Sequence, residues 1–213
     1  LYSSAASDVY KRQVLSGIGI ASLVAAPIGA AASAVGDFVK WATVLQPFFM
    51  GILVSVAVGM ALTLPISSAA ICAALGLTGL AGGAAVAGCC AQMVGFAVMS
   101  FRENGWGGLV SQGLGTSMLQ IPNIMKRPAI MVPEIVSSAV CGPLSTCVFG
   151  LYCDATGGGM GTSGLVGVFS TVSASAGVLD GWVLGLGIAL LFFLLPAGIS
   201  LAVSELMRKK GWI

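Results

Sequence analysis

Five long stretches with almost no charge are the feature that most restricts the fold of this sequence. Each has more than 20 residues, and Glu134 and Glu205 are the charged residues inside them. A helix needs about 20 apolar residues to cross a bilayer core, and in lipid its backbone polar groups are satisfied internally. We therefore predict an all-α integral membrane protein, a polytopic bundle of about five spans. The predicted spans are 14–36, 41–64, 79–101, 129–152 and 181–205.

The composition excludes several classes of function. Hydrophobic residues make up 57% of the chain and charged residues 8%, whereas soluble domains carry about 25% charge. The absence of histidine removes phosphohistidine chemistry and histidine metal sites. The formal net charge of +2 gives no reason to expect a nucleic-acid partner. We expect no metal and no cofactor, and we interpret the six cysteines as small packing residues.

Residues 1–13 differ from the rest because they are polar and carry Asp8, Lys11 and Arg12. This segment has the appearance of translated sequencing adaptor, and such segments are set aside in reasoning about a fold. On that interpretation, 14–213 is the C-terminal part of a larger transmembrane domain. A genuine solvated N-terminus is the alternative.

Three apolar segments are too short or too rich in glycine to be full spans. We predict that they are re-entrant hairpins or interfacial helices. They are 65–78, 107–122 and 155–178.

The basic residues outside the spans indicate the orientation in the membrane. When the five spans alternate in direction, these residues all fall on one side, and the other side keeps only Asp154 and Asp180. Cytoplasmic loops of membrane proteins are enriched in lysine and arginine, so we predict a cytoplasmic C-terminus. The basic residues are Lys40, Arg102, Lys126, Arg127, Arg208, Lys209 and Lys210.

One glycine-rich pentapeptide pattern occurs twice, at 113–117 (GLGTS) and at 159–163 (GMGTS). The predicted spans place the copies at opposite faces, as an inverted repeat would. In transporters such breaks bring helix ends and bare backbone to a midplane site. We predict that Thr116, Ser117, Thr162 and Ser163 bind substrate, with chance similarity as the alternative. The structural glycines of this prediction are Gly113, Gly115, Gly159, Gly161 and Gly164.

The second copy lies in 155–167, a run with six glycines. Irregular backbone exposed to lipid leaves costly unpaired groups. We therefore expect this run to be buried in protein or to line an aqueous cavity, and a flexible external loop is the alternative.

Other polar side chains complete the predicted site. Gln92 lies in the middle of the third span, and Asn123 follows Pro122. Amides both donate and accept hydrogen bonds, as sugar hydroxyls require, although an interhelical hydrogen bond would also explain Gln92. Glu134 is a functional candidate because it lies within a membrane segment, and an interfacial carboxylate is the alternative.

Gln112, Thr116 and Gln120 recur every four residues. This spacing predicts one polar helix face over 107–121. Such a face would either line the substrate site or face water on a helix that lies in the membrane interface.

Several motifs in chain order resemble the membrane (IIC) subunit of the bacterial phosphoenolpyruvate-dependent sugar phosphotransferase system, in its second, smaller IIC-type family. The resemblance covers essentially all of 14–213. The motifs are AAPIGA (25–30), TLPISSAA (63–70), GCCAQMVGFAV (88–98), QGLGTSMLQIPN (112–123), GPLST (142–146), GMGTSGLVG (159–167) and SELMRKKGW (204–212).

The resemblance implies a homodimeric subunit of the bacterial inner membrane that binds a sugar and carries it inward. A IIB partner would phosphorylate the sugar from a phosphocysteine, and a IIA partner would supply the phosphate from a phosphohistidine. The phosphoryl-carrying residues would then lie on the partners. Two other classes stay open. One is an ion-coupled secondary transporter that uses Glu134 or Asp154, and the other is a membrane sensor that binds a ligand without transport.

Overall fold

The fold is a bundle of helices. A computed structural model describes residues 13–14, 16–19, 30 and 33–213. Within them, β-pairing is limited to two isolated bridges, so the predicted all-α class is confirmed. After a helical segment at 33–45, the α-helices are α1 (Pro47–Thr63), α2 (Ser68–Leu75), α3 (Gly79–Met99), α4 (Phe101–Val110), α5 (Ile121–Lys126), α6 (Val132–Pro143), α7 (Ala155–Gly158), α8 (Val166–Ser175), α9 (Gly181–Ile188) and α10 (Leu195–Lys209).

Helix α3 is the centre of the bundle. It packs against α1, α6 and α10, and every residue from 81 to 97 is buried. A helix that is apolar on all sides is stable when other helices surround it. The side chains that α3 presents are mostly small, so its neighbours approach closely.

Two glycines on α3 show how close this approach is. A Cβ added to Gly88 would overlap the Ser55 carbonyl oxygen of α1, and one added to Gly83 would overlap the Leu151 carbonyl oxygen. Small residues at such contacts allow backbones to meet, which favours association of helices within a membrane.

Within the described part of the chain, three helical runs are long and apolar enough to cross a membrane: Gly79–Met99, Pro128–Phe149 and Gly181–Lys209. They correspond to the third, fourth and fifth predicted spans. Helix α1 is apolar but has only 17 residues. The first predicted span lies largely outside the described residues, so the total of five stays a prediction. Residues 1–12 also lie outside them, and the adaptor interpretation remains untested.

Two of the long runs contain a π-helical turn. In one, Leu144–Phe149 follows Pro143 at the end of α6. In the other, Ala189–Leu194 joins α9 to α10 just before Pro196. A proline lacks the N–H that continues the α-helical ladder, so a change of helical register beside it is expected.

The three segments predicted as hairpins contain short helices that are flanked or interrupted by non-helical backbone. Between α4 and α5 the chain forms a π-turn (Ser111–Gly115) and a 3-10 turn (Ser117–Gln120), separated by extended backbone at Thr116. The predicted continuous polar helix face over 107–121 is therefore wrong, because Thr116 ends the helical register. Whether these segments re-enter the bilayer stays a prediction.

Candidate functional site

The two copies of the glycine-rich pattern lie against each other. The Thr162 hydroxyl donates a hydrogen bond to the Gly113 carbonyl oxygen at 2.6 Å, and the Ser163 hydroxyl donates to that of Gly115 at 2.9 Å. Residues 113–117 and 159–163, 46 positions apart in sequence, thus form one contact. We call them the first and the second docked segment.

Backbone conformation and packing explain the glycines of the second docked segment. Gly161 has a φ of +57° and lies against Cys89 and Cys90 of α3. Gly159 lies against the α2 backbone, where Ser68 donates a hydrogen bond to its carbonyl oxygen at 2.6 Å. Because a side chain would not fit at either position, glycine lets this segment dock deeply.

Just beyond this segment, Gly164 and Leu165 also have positive φ values, +52° and +60°. A leucine in that region is uncommon and strained. The strain marks 164–165 as the point where the second docked segment turns into α8.

The glycines of the first docked segment have a different environment. A Cβ at Gly113 would have ordinary contact with Ala97, and one at Gly115 would meet nothing within 4 Å. The carbonyl oxygens of these two glycines accept the hydrogen bonds from the second docked segment. The hydroxyls of Thr116 and Ser117 form hydrogen bonds with other parts of the chain. Thr116 caps the following turn by accepting from the Met118 N–H at 3.2 Å.

Gln92 belongs to a buried polar cluster that is formed by three elements and centred on Thr63. Its Oε1 accepts from the Thr63 hydroxyl at 3.0 Å, and Thr63 also lies 3.0 Å from the Ser117 hydroxyl. All three side chains are fully buried. The Gln92 Nε2 has no hydrogen-bond partner among the described residues, and an unpaired buried donor costs about 1–3 kcal/mol.

Glu134 is also fully buried within the helix bundle. One of its oxygens accepts from the Ser200 hydroxyl of α10 at 2.6 Å. The other oxygen has no partner within the described part of the chain. Glu134 of α6 and Ser200 of α10 thus form a second buried polar cluster, which lies against α3.

Three amide side chains form a row, which we call the amide row: Gln112, Gln120 and Asn123. Gln112 donates to the Ser100 hydroxyl at 3.0 Å, Gln120 donates to Gln112 at 2.8 Å, and Asn123 donates to Gln120 at 2.8 Å. Two cavities of about 350 Å³ each border this row and share Asn104, Gln120 and Asn123 in their walls.

The structure therefore distributes the predicted site residues over four places. Gln92 and Ser117 share one cluster, Thr162 and Ser163 bond the first docked segment, Glu134 bonds Ser200, and Asn123 borders the cavities. Sequence reasoning missed Thr63, Ser200 and Asn104. No pattern singled them out, because each is an ordinary polar residue until the packing brings it to its partner. Substrate binding by the predicted residues stays a prediction.

These features define the class: an all-α membrane protein with buried amide and hydroxyl groups between its helices. A family model described as "Phosphotransferase system, EIIC" matches residues 12–213. The chain belongs to this family of sugar-transporting membrane subunits of the phosphotransferase system. No curated protein and no solved structure matches the chain.

Proposed function

We propose that this subunit binds a sugar beside the docked segments and carries it inward, where a IIB partner phosphorylates it. Membership of the family supports transport of a sugar and work with IIB and IIA partners. The observation that carries the binding site is the Gln92 Nε2, which has no partner among the described residues and belongs to a cluster with the buried hydroxyls of Thr63 and Ser117. A sugar hydroxyl can accept from this donor and donate to a neighbouring oxygen, which removes the cost of the unpaired group.

The docked segments suit an alternating-access mechanism. The Thr162 and Ser163 hydroxyls of the second docked segment each donate to a carbonyl oxygen of the first. A sugar hydroxyl can both donate and accept, so it can take the place of either the hydroxyl or the carbonyl in these hydrogen bonds. We propose that sugar binding separates the two segments and that phosphorylation on the cytoplasmic side releases the sugar. Broken membrane helices whose ends meet near the midplane are typical of such sites in transporters.

The Gln92 proposal is tested by comparing two variants in membrane vesicles that contain the complete protein. Gln92→Met keeps the volume but removes the amide, and uptake of labelled sugar is expected to show a KM raised by at least about tenfold. Ser204→Ala is the control, because among the described residues the Ser204 hydroxyl bonds only within its own helix, to the Leu201 carbonyl oxygen at 3.0 Å. Equal KM values in the two variants, with both folded, would exclude Gln92 from the sugar site.

Glu134 favours a second candidate function, ion-coupled transport. Intramembrane carboxylates are costly and often mark ion or proton pathways, and one oxygen of Glu134 has no partner among the described residues. If transport is ion-coupled, we expect an uncoupler to stop sugar uptake. We also expect sugar uptake by the Glu134→Gln variant to be independent of the ion gradient. Uptake that depends on the phosphate relay, and is unchanged by an uncoupler, argues against it.

We also propose that the subunit is a homodimer of the bacterial inner membrane. Large apolar side chains are exposed along 33–53, and contiguous apolar surface of this kind is covered by lipid or by protein. Crosslinking in native membranes, between cysteines placed at Trp41 or at Phe49, tests for the second copy.

A further inference from the structure

One of the two cavities is lined by cations as well as amides, and we call it the cation cavity. It has a volume of about 350 Å³ and lies where α3, α5 and α10 end and α4 begins. Pockets for small molecules start at about 300 Å³. The side chains used below are Glu103, Asn104, Asn123, Lys126, Arg127 and Arg208.

The acidic side chain in this wall is already neutralised. Glu103 accepts from the Arg208 guanidinium at 2.7 Å, and Arg208 also donates to the Met99 carbonyl oxygen at 3.2 Å. Nearby, Arg102 pairs with Glu205 at 2.8 Å. Arg208 is therefore held in place as part of the wall and does not compete for a further anion.

Lys126 and Arg127 are left without a counter-charge. Neither makes an ion pair with any described residue, and they are adjacent in sequence at the end of α5. Two like charges at one cavity attract an anion, and a phosphate group accepts several charge-assisted hydrogen bonds from lysine and arginine.

The cavity also has neutral polar lining residues. Asn123 donates to Gln120, which leaves its carbonyl oxygen to accept from a ligand, and the Asn104 amide borders the same space. Amides of this kind bind hydroxyl groups. The cavity thus matches a small molecule that carries both a phosphate group and hydroxyl groups.

We propose that the cation cavity binds a sugar phosphate, with the phosphate at Lys126 and Arg127 and the sugar hydroxyls at Asn104 and Asn123. This inference rests on the proposed function in one respect, because sugar transport is what makes the phosphate ester a sugar phosphate. The cavity lies on the side that the basic residues predict to be cytoplasmic, so accumulated product fills it from inside the cell.

The test is binding to the complete protein in nanodiscs of phosphatidylcholine. The probes are a panel of hexose 6-phosphates, the parent hexoses and inorganic phosphate. At least one hexose phosphate is expected to bind about tenfold or more tightly than its parent sugar and than inorganic phosphate. The double variant Lys126→Gln/Arg127→Gln is expected to remove this preference.

The control is Lys209→Gln/Lys210→Gln, which removes two exposed cations from the same end of the molecule but outside the cavity wall. All four residues are exposed, so both double variants are expected to fold. Equal binding by the two double variants would overturn the site. Binding of inorganic phosphate as tight as that of every hexose phosphate would overturn the sugar-phosphate assignment.

Relay-dependent uptake, measured on the same preparations, separates the two proposals. If uptake persists but no hexose phosphate binds, the cation cavity is not a sugar-phosphate site and the transport proposal stands. If a hexose phosphate binds through Lys126 and Arg127 but no sugar is transported, the site stands and the transport proposal falls.

Discussion

At the scale of single residues, Gly95 of α3 lies directly against the buried Glu134 carboxylate. A Cβ at Gly95 would overlap the Glu134 carboxylate and would lie 2.5 Å from the Ser200 hydroxyl. The glycine on α3 therefore makes the space in which the carboxylate and the hydroxyl meet. Its role is steric, and it depends on groups from two other helices.

Gly95→Ala is expected to destabilise the protein by about 1–3 kcal/mol, because the added methyl must displace buried polar groups. Gly198→Ala is the matched control, since Gly198 is helical and its Cβ would meet nothing within 4 Å. Thermal unfolding in detergent measures both. A midpoint for Gly95→Ala equal to that of Gly198→Ala would contradict the packing described for Glu134.

At the scale of elements, the hydrogen bonds between the docked segments satisfy backbone carbonyl groups, as the hydrogen bonds of a regular helix do. Thr162→Val is expected to lower stability by about 1–3 kcal/mol, because the Gly113 carbonyl loses the hydroxyl that bonds it in a partly buried contact. Thr171→Val is the control: Thr171 is equally buried, and it donates to the Gly167 carbonyl of its own helix at 2.7 Å.

The Thr171 variant is expected to lose less, since the α8 backbone ladder still satisfies the Gly167 carbonyl. Unfolding midpoints in detergent compare the two. A loss for Thr171→Val as large as that for Thr162→Val would mean that the contact between the segments contributes nothing specific.

The apolar stretches were sufficient to predict the helical class and the positions of the long runs near 79–101, 129–152 and 181–205. The length of each stretch and its lack of charge make this prediction possible, because the thickness and the apolar interior of the bilayer require both. The extended Thr116 was not predictable, because it depends on capping and on contacts with 159–163. The docking of the two segments also required tertiary structure, although the repeated pattern was visible in the sequence.

At the scale of the whole molecule, the asymmetry of basic residues predicts an orientation in the membrane, with the C-terminus in the cytoplasm. A cysteine placed at Lys210 is expected to resist a membrane-impermeant maleimide in intact cells and to react after permeabilisation. A cysteine placed at Asp180 is expected to react in intact cells. Replacing the exposed Cys147 beforehand removes its background, since the other five cysteines are buried. The opposite labelling pattern would invert the topology and place the cation cavity outside the cell.

The central claim, inward sugar transport coupled to phosphorylation by partners, has one direct measurement. Vesicles that contain the complete protein are given a panel of labelled sugars, with phosphoenolpyruvate and the soluble relay proteins supplied or withheld. We predict that one sugar accumulates, as its phosphate, only when the relay is complete. Accumulation of unmodified sugar that ignores the relay and follows a proton or sodium gradient would contradict this account, and Glu134 would become the leading coupling residue.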